Sequence, residues 1–395
     1  MAKICAAFYN GLYDATNINK IPAWYESFYK GLIEYGNELL LFPIREWQKE
    51  YGEIDPIIKK KVLEFEPDLY ISFNNVFYDM SFLDCPKLIY GVDSVIYWMN
   101  KSRLKGEELF AVYGKSEVKL IQSLLGYDAE KIHVVRPFTS VKNDVSVPQT
   151  INISFIGSRF GVDRKNELGV LENESQFARE EYASCLEYII KHPLATKEEV
   201  ITANSVTNER VREMIDVPGM VMMMSAEKRV RVLSAIVDLG LNLYGTRNWM
   251  SKYHFDTRIN ASFIDKEIYS IAHNAKIYNE SKIGINISHL QATEGFSWRV
   301  LDIMASNACL VTDSWSGVKE FFPKLPIPVY EDEHEARELC KELLSDESKR
   351  KGIVRECQKI VESEYRFVNH IVELENITKI SLRGKTTGGI KCQEV

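Results

Sequence analysis

The sequence predicts an α/β protein with two doubly wound parallel sheets, each in a domain of its own. Short apolar runs alternate with longer amphipathic runs, which is typical of strands and helices in βαβ units. A polar stretch with a proline, SVKNDVSVPQT at 140–150, interrupts this alternation, and the alternation restarts after it. The 395 residues, 45% of them hydrophobic, are enough to build two cores.

The N-terminal half contains the elements of the first sheet in chain order. The runs predicted as strands are KICAAFY, ELLLFPI, DLYISF, KLIYGVD, LFAVYGK and IHVVRPF. Helical periodicity is present in AWYESFYKGLIEYG and DPIIKKKVLEF, which lie between the first three of these strands. We assign residues 1–145 to this first domain, with the polar stretch as the linker.

The C-terminal half repeats the pattern. The predicted strands are INISFIGS, LNLYG, KIGINIS and IPVYED, with a helical region from about Arg164 to Leu239 between the first two. Two amphipathic helices complete a second domain at 146–365, and residues 366–395 are predicted as a C-terminal helix or tail with a frayed end. Because ligands bind at the carboxyl ends of parallel strands, the cleft between the domains is the expected site.

Charge, cysteine content and hydropathy exclude several classes of function. The formal net charge of −7 argues against a nucleic-acid partner. Seven scattered cysteines without C-x-x-C spacing fit a reduced compartment. No apolar run has bilayer length, and the first residues have too short an apolar core for a signal peptide. The expectation is a cytoplasmic protein, with peripheral contact at the inner face of the membrane left open.

The stretch EGFSWRVLDIMASNACLVTDS, residues 294–314, carries the strongest chemical signal. Ser297 is a predicted N-cap, and the apolar positions after it have helical spacing. Arg299 would lie in the first turn, where backbone N–H groups and the helix dipole already favour an anion such as phosphate. Asp302 could accept hydrogen bonds from ribose hydroxyls and Glu294 from a sugar. The alternative is a surface ion pair between Arg299 and Asp302.

The end of the predicted helix and two glycine turns add to the predicted phosphate site of the second domain. Asn307 is expected to end the helix in a left-handed conformation. Two glycine turns follow other strands, Gly157 with Ser158 and Tyr244 with Gly245, and could bring backbone amides close to a diphosphate. Ordinary tight turns are an equally good explanation of these glycines.

The second half of the sequence resembles the donor domain of GT-B glycosyltransferases. The resemblance lies in five motifs and their order: SFIGS, NLYG, IYNESKIGINIS, EGFSWRVLDIMASNACLVTDSWSGVKEFF and VYEDEHEARELCKELLSD. The resemblance covers roughly residues 150–365 and is closest to the spore-protein-like group related to glycosyltransferase family 1. It implies two Rossmann-like domains that face a central cleft. Glu294 and Asp302 have the spacing of two glutamates that handle the donor sugar and the ribose in many of these enzymes, with aspartate in the second position. The implied donor-binding residues are Gly157, Ser158, Tyr244, Gly245, Glu294, Gly295, Phe296, Ser297, Arg299 and Asp302.

The first domain resembles these enzymes in layout and would bind the acceptor. An inverting transfer needs a base that takes the proton of the attacking hydroxyl. Asp93, which follows a strand and matches an acidic position often seen in the group, is the first candidate, and Asp14 is the second. Glu294 is the third residue of the predicted catalytic set. The structural alternative for both aspartates is that they bind loop backbone.

These features predict transfer of a sugar from a nucleoside-diphosphate donor, a UDP-sugar first, to a hydroxyl of a glycan, lipid-linked or protein acceptor. The resemblance also implies a bacterial enzyme of polysaccharide biosynthesis. No D-x-D triplet ends a strand, so neither a metal nor another cofactor is expected. A sugar-nucleotide epimerase of the same shape and a noncatalytic sugar-nucleotide-binding surface or structural protein remain as alternatives. A nicotinamide dehydrogenase is disfavoured because no G-x-G-x-x-G follows the first strand of either half.

Overall fold

Two parallel sheets organise the chain in the computed structural model. The model describes residues 1–9, 23–44, 54, 56–74, 79–97, 104–160, 173–250, 256–265, 270–315, 317–384 and 392–394. The strands of the first sheet are β1 (Lys3–Tyr9), β2 (Glu38–Ile44), β3 (Leu69–Phe73), β4 (Lys87–Tyr90), β5 (Leu109–Val112), β6 (Ile132–Val134) and β12 (Cys392–Glu394). Their order is β12-β2-β1-β3-β4-β5-β6, and all neighbours are parallel.

The second sheet has the same character. Its strands are β7 (Ile151–Ile156), β8 (Leu241–Tyr244), β9 (Ser281–Asn286), β10 (Cys309–Asp313) and β11 (Val329–Tyr330). They pair in parallel in the order β11-β10-β9-β7-β8. The direction of strand addition therefore reverses between β7 and β9, which is the switch point where such sheets bind ligands.

Helices cover both sheets, as parallel sheets require. The first half contributes α1 (Ala23–Glu34), α2 (Pro56–Phe65) and α3 (Lys115–Leu125). The second half contributes α4 (Gln176–Lys191), α5 (Lys197–Ala203), α6 (Glu209–Met214), α7 (Val217–Ile236), α8 (Thr257–Ser262), α9 (Ile271–Glu280), α10 (Trp298–Ala305), α11 (Val318–Phe321), α12 (Glu333–Ser345), α13 (Glu347–Glu364) and α14 (Phe367–Thr378). Short 3₁₀ helices occupy Val95–Tyr97, Ala129–Lys131, Val237–Leu239 and Arg247–Met250.

Three helices stand outside the regular βαβ pattern. We call α4 to α6, residues 176–214, the helical insertion, because they lie between β7 and the crossover helix α7. The helical insertion has an apolar core of its own, which includes Tyr182, Cys185 and Val211 and is shared with Met220 of α7. Leu290, from the loop after β9, also belongs to this core, so the insertion is anchored beside the switch point of the second sheet.

The chain passes between the domains twice, and the two passages are hydrogen-bonded to each other. In the linker, Thr139 N–H donates to Tyr365 O at 3.0 Å. Arg366 Nη1 donates to Thr139 O at 3.1 Å and to Val141 O at 2.5 Å. Asp302 of α10 joins the same group by accepting from Thr139 Oγ1 at 2.6 Å.

Each domain also caps a helix of the other with a carboxylate. Glu294 Oε2 accepts from Ser116 N–H in the first turn of α3 at 2.8 Å, where the N-cap Gly114 has no side chain to do so. Glu26 Oε2 of α1 accepts from Ile271 N–H at the start of α9 at 2.9 Å. Free N–H groups at helix N-termini favour such acceptors. Ser116 N–H in α3 and Ile271 N–H in α9 therefore have these carboxylate partners only when the domains are in contact, although α9 also has its own N-cap in Ser270.

The predicted fold class and the order of strands are confirmed, and the last residues correct the prediction of a frayed end. After Arg366 the chain returns to the first domain, where α14 packs Phe367, Ile371 and Leu374 into the core below β1 and α1. Residues 392–394 form β12 at the edge of the first sheet. The first domain is therefore completed by the last part of the chain.

We predict that Ile371→Ala lowers the free energy of unfolding by about 2–5 kcal/mol, because Ile371 is fully buried in the core of the first domain. Urea denaturation followed by circular dichroism measures the change. Val368→Ala on the same helix is the control, since Val368 is 47% exposed and should cost less than about 1 kcal/mol. Equal losses in the two variants would contradict the assignment of α14 to this core.

Candidate functional site

Two predicted glycine turns meet at the carboxyl ends of β7 and β8. Gly157 N–H donates to Tyr244 O at 3.0 Å, and Trp249 Nε1 donates to Gly157 O at 2.6 Å. A Cβ on Gly245 would lie 2.1 Å from Gly157 O, and the φ of Gly245 is +149°. Only glycine fits this position, because both the space and the backbone conformation exclude a side chain. The turn at Ile156–Ser158 is therefore held in place by the neighbouring loop.

Arg299 lies beneath this turn, in the first turn of α10 as predicted. Its Nε donates to Ile156 O at 2.7 Å and its Nη1 donates to Asn286 Oδ1 at 3.1 Å. A Cβ on Gly157 would be 3.0 Å from Arg299 Nη2, so the glycine leaves room for the guanidinium. Ser297 is at the predicted N-cap position, but its hydroxyl accepts no hydrogen bond from the helix and instead donates to Asn286 Oδ1 at 3.2 Å.

A second arginine at this turn was not predicted from the sequence. Arg229 of α7 is 4% exposed and donates through Nη1 to Ser158 O at 2.5 Å. Its guanidinium lies 4.0 Å from the centroid of the Phe160 ring. Among the described residues, Arg229 Nε is buried and has no hydrogen-bond partner. Burial, and then the positive charge of Arg299, hold the pKa of Arg229 well below its usual value.

The surroundings of the arginine pair are also basic. Lys228 Nζ lies 2.6 Å from Asp313 Oδ2, and that aspartate also accepts from Ser288 N–H and Oγ at 2.8 Å each. Burial, followed by the charges of Arg229 and Lys228, lowers the pKa of His289 to about 3, so His289 is neutral at pH 7. A buried guanidinium group and a half-buried one, with one adjacent carboxylate, form a site that an anion would stabilise.

The signal for Arg229 was present in the sequence. On α7 the buried positions Val221, Ser225, Val232 and Ile236 form one stripe, and Arg229 lies on it four residues after Ser225. A charged residue on the buried stripe of a helix is rare unless it is paired. In the sequence, however, Arg229 stands in the charged run EKRVR beside Lys228 and Arg231, which gives it the appearance of an exposed residue.

The acidic pair of the motif contacts the other domain and the linker. Glu294 caps α3 through Ser116 N–H, as described above. Asp302 accepts from Thr139 Oγ1, and burial raises the pKa of Asp302 to about 6 against the opposing effects of that hydrogen bond, Arg299 and Arg366. The sugar and ribose contacts of Glu294 and Asp302 remain predictions.

The remaining donor-side residues shape the loops. Gly295 has a φ of +75° and a Cβ there would be 3.2 Å from Tyr113 O of the first domain. Phe296 is buried, with its ring centroid 5.3 Å from that of Phe322. Tyr244 is 4% exposed and its hydroxyl accepts from Asn242 Nδ2 at 3.4 Å. Tyr244 and Phe296 therefore contribute packing and backbone to the site.

Asn307 does not end α10 in the predicted conformation. The helix ends at Ala305, and Ser306 closes it by accepting from Ala308 N–H through its hydroxyl at 3.0 Å. Asn307 has a negative φ and uses its side chain to donate to Asp144 O in the linker at 2.5 Å. A side-chain partner in the linker thus replaces the expected left-handed turn.

Asp93, the first candidate base, bridges the two domains. Its Oδ2 accepts from Asn74 Nδ2 at 2.7 Å, and its Oδ1 accepts from Gln291 Nε2 in the donor-side loop at 2.8 Å. Asn74, with a φ of +61°, also accepts from the N–H groups of Val92 and Asp93. Burial raises the pKa of Asp93, and the two side-chain hydrogen bonds oppose this. Asp14 lies outside the described residues.

We predict that Gly245→Ala disrupts the donor-side turns, because its Cβ would clash with Gly157 O. The expected loss is about 1–3 kcal/mol in the free energy of unfolding, measured by chemical denaturation. The matched control is Gly352→Ala in α13, where a Cβ meets no atom within 4 Å. That change should be neutral or stabilise by up to about 1 kcal/mol, so a similar loss in both variants would refute the close contact.

Part of the chain matches a known protein family. Residues 227–376, from α7 to α14, match the model of a family described as glycosyl transferase-like. A search of curated protein sequences gave no match. No helix among the ranges that the structure describes has the length and apolar character of a membrane span.

Solved structures share the whole architecture. HepE of Anabaena in complex with UDP and glucose aligns with a TM-score of 0.50 at 10% identity, over 96% of this chain and 100% of that one. The HepE complex with UDP-glucose gives a TM-score of 0.50 at 11% identity with the same coverage. A glycosyltransferase from Rickettsia africae gives 0.46 at 12% identity, over 96% and 100% of the two chains. At these identities the HepE alignments establish a common fold. The chain therefore has the GT-B fold, and residues 227–376 of its second domain are similar to a glycosyl transferase-like family.

Proposed function

We propose that the enzyme transfers a sugar from a nucleoside-diphosphate donor, a UDP-sugar first, to a hydroxyl of a glycan, lipid-linked or protein acceptor. The observation that carries the proposal is the pair of arginines, Arg229 and Arg299, around the turn at Ile156–Ser158. A diphosphate is the anion that suits two guanidinium groups and a glycine turn at a sheet switch point. The fold shared with HepE, which was solved with UDP and with UDP-glucose, supports uridine as the base.

The arginines would act on the leaving group. In the transfer, the bond between the anomeric carbon and the diphosphate breaks, and negative charge develops on the departing nucleoside diphosphate. Positive groups fixed in a buried site stabilise that charge without reorganising. Arg229 Nε, buried and without a partner in the described part of the chain, would contribute a donor that no protein group uses.

The acceptor hydroxyl must lose its proton as it attacks, and Asp93 is the group we propose for this step. Asp93 lies where the first domain meets the donor-side loop, through its contact with Gln291. A raised pKa brings a carboxylate closer to the operating pH, which favours base catalysis. Asp14 is the second candidate, and Glu294 would contact the donor sugar after leaving the first turn of α3.

The proposal includes catalysis without a metal ion. The positive charge that a metal would supply at the diphosphate is available from Arg229, Arg299 and Lys228. We therefore expect turnover to persist in EDTA. The proposal also includes a cytoplasmic enzyme of polysaccharide biosynthesis that reaches a membrane-linked acceptor from the inner face.

We predict that Arg229→Met weakens UDP binding by about 10–100-fold, because it removes charge-assisted hydrogen bonds to the diphosphate. Binding of uridine, which lacks phosphate, should change less than about threefold. Isothermal titration measures both. Arg231→Met is the matched control on the same helix, since Arg231 is 67% exposed and pairs with Glu333 at the surface. Equal losses for UDP and uridine would reject a phosphate role for Arg229.

The reaction itself distinguishes the proposal from its alternatives. We predict UDP release from UDP-glucose that an acceptor accelerates, whereas an epimerase would change the sugar without an acceptor and a binding protein would do neither. Asp93→Asn should lower turnover by about 10²–10⁴-fold with UDP affinity retained. Asp84→Asn, at an exposed aspartate of the same domain, is the control. Full turnover in Asp93→Asn would remove Asp93 as the base.

A further inference from the structure

A cavity of about 360 Å³ lies between the first domain and the helical insertion. One wall is formed by Val95 and Ile96 of the 3₁₀ helix and by Leu124 at the end of α3. The opposite wall includes Ile215 and Val217. Most of the lining is aliphatic, with Thr196, Lys197 and Asp216 as polar residues on the second wall. The volume is in the range of small-molecule sites.

The loop after β9 connects both walls of this cavity to the proposed reaction centre. In three consecutive residues, His289 lies in the basic donor site, Leu290 packs into the core of the helical insertion, and Gln291 donates to Asp93. The 3₁₀ helix that lines the first wall begins two residues after Asp93. Leu290 N–H also donates to Ser225 Oγ of α7 at 3.0 Å. The 3₁₀ helix and this loop therefore connect the walls of the cavity to Asp93, where the acceptor hydroxyl would react.

The residues that line the cavity indicate which kind of ligand it would bind. The walls offer aliphatic contact and few hydrogen-bonding groups, so a free sugar, with hydroxyls on every side, would lose hydration there without replacing it. An alkyl or aryl group gains from the same surface. The polar groups of the lining, from Thr196, Lys197 and Asp216, all belong to the wall opposite the first domain, so the wall formed by Val95, Ile96 and Leu124 is the one that suits an apolar group.

We propose that this cavity binds the apolar portion of an amphiphilic acceptor, an alcohol or sugar that carries an alkyl or aromatic group. The inference rests on the proposed function and narrows its acceptor to this class. The helical insertion then determines acceptor specificity although it belongs to the donor domain. The hydroxyl of the acceptor would lie towards Asp93, and the apolar group would extend between α3 and the insertion.

The test measures binding of a series of alkyl β-glucosides, from methyl to octyl, below their micelle concentrations and in the presence of saturating UDP. Burial of each methylene should tighten binding by about three- to fourfold until the cavity is filled. Leu124→Gln, at a residue that is 37% exposed, should weaken the dependence of affinity on alkyl length. Leu124→Trp should prevent binding of the glucosides with longer alkyl chains. Leu63→Gln, at a 48% exposed leucine of α2 away from the cavity, should keep the wild-type dependence.

The experiment tests the proposed function and the cavity assignment separately, through UDP binding and through the dependence of glucoside binding on alkyl length. UDP binding without any dependence on alkyl length, or a dependence that Leu124→Gln and Leu63→Gln alter equally, would overturn the cavity assignment alone. Absence of UDP binding would overturn the proposed function. An alkyl dependence sensitive only to the Leu124 variants, together with UDP binding, would support both.

Discussion

The placement of the two domains depends on the hydrogen bonds between the two passages of the chain. Thr139 and Tyr365 join the passages through their backbones, and Arg366 adds two bonds to linker carbonyls. Asp302 ties the same linker to α10, the helix that also carries Arg299. Arg299 of the proposed anion site and the link to the first domain at Asp302 are thus separated by one turn of one helix. A change in the charge at Arg299 would be felt by Asp302, since Arg299 already lowers the pKa of that buried carboxyl.

The second constraint is electrostatic. A buried guanidinium beside another one is costly, because burial and like charge both disfavour the charged form. The described structure compensates part of this with the carbonyls of Ile156 and Ser158 and with Asp313. Because the positive charge is only partly neutralised by protein groups, binding of an anion should lower the free energy more here than at a site that is already neutral. The same turn needs glycine at 157 and 245, so geometry and charge at this edge of the sheet are specified together.

The sequence predicted most of the fold because parallel strands buried on both faces appear as continuous apolar runs between amphipathic helices. It also placed Arg299 in the first turn of a helix and brought two glycine turns to one edge of the sheet. The missing parts depend on distant contacts. Arg229 reaches the glycine turn only because α7 packs beside β7. Glu294 caps a helix at Ser116, 178 positions earlier in the chain. The side chain of Asn307 is held by the backbone of the linker. Local spacing contains no information about such partners.

The return of α14 to the first domain has a consequence for biosynthesis. A ribosome releases β1 to β6 long before Phe367, Ile371 and Leu374, which fill the core beneath them. Domains usually fold in the order of their synthesis, but here the first domain lacks part of its interior until residues 367–377, which follow the second domain, have been made. The second domain, whose strands and helices are contiguous from 151 to 364, can complete its core earlier. A nascent chain of this protein would thus expose the unfilled core of its first domain while the second domain is already folded. A chaperone would have the most apolar surface to bind during this interval.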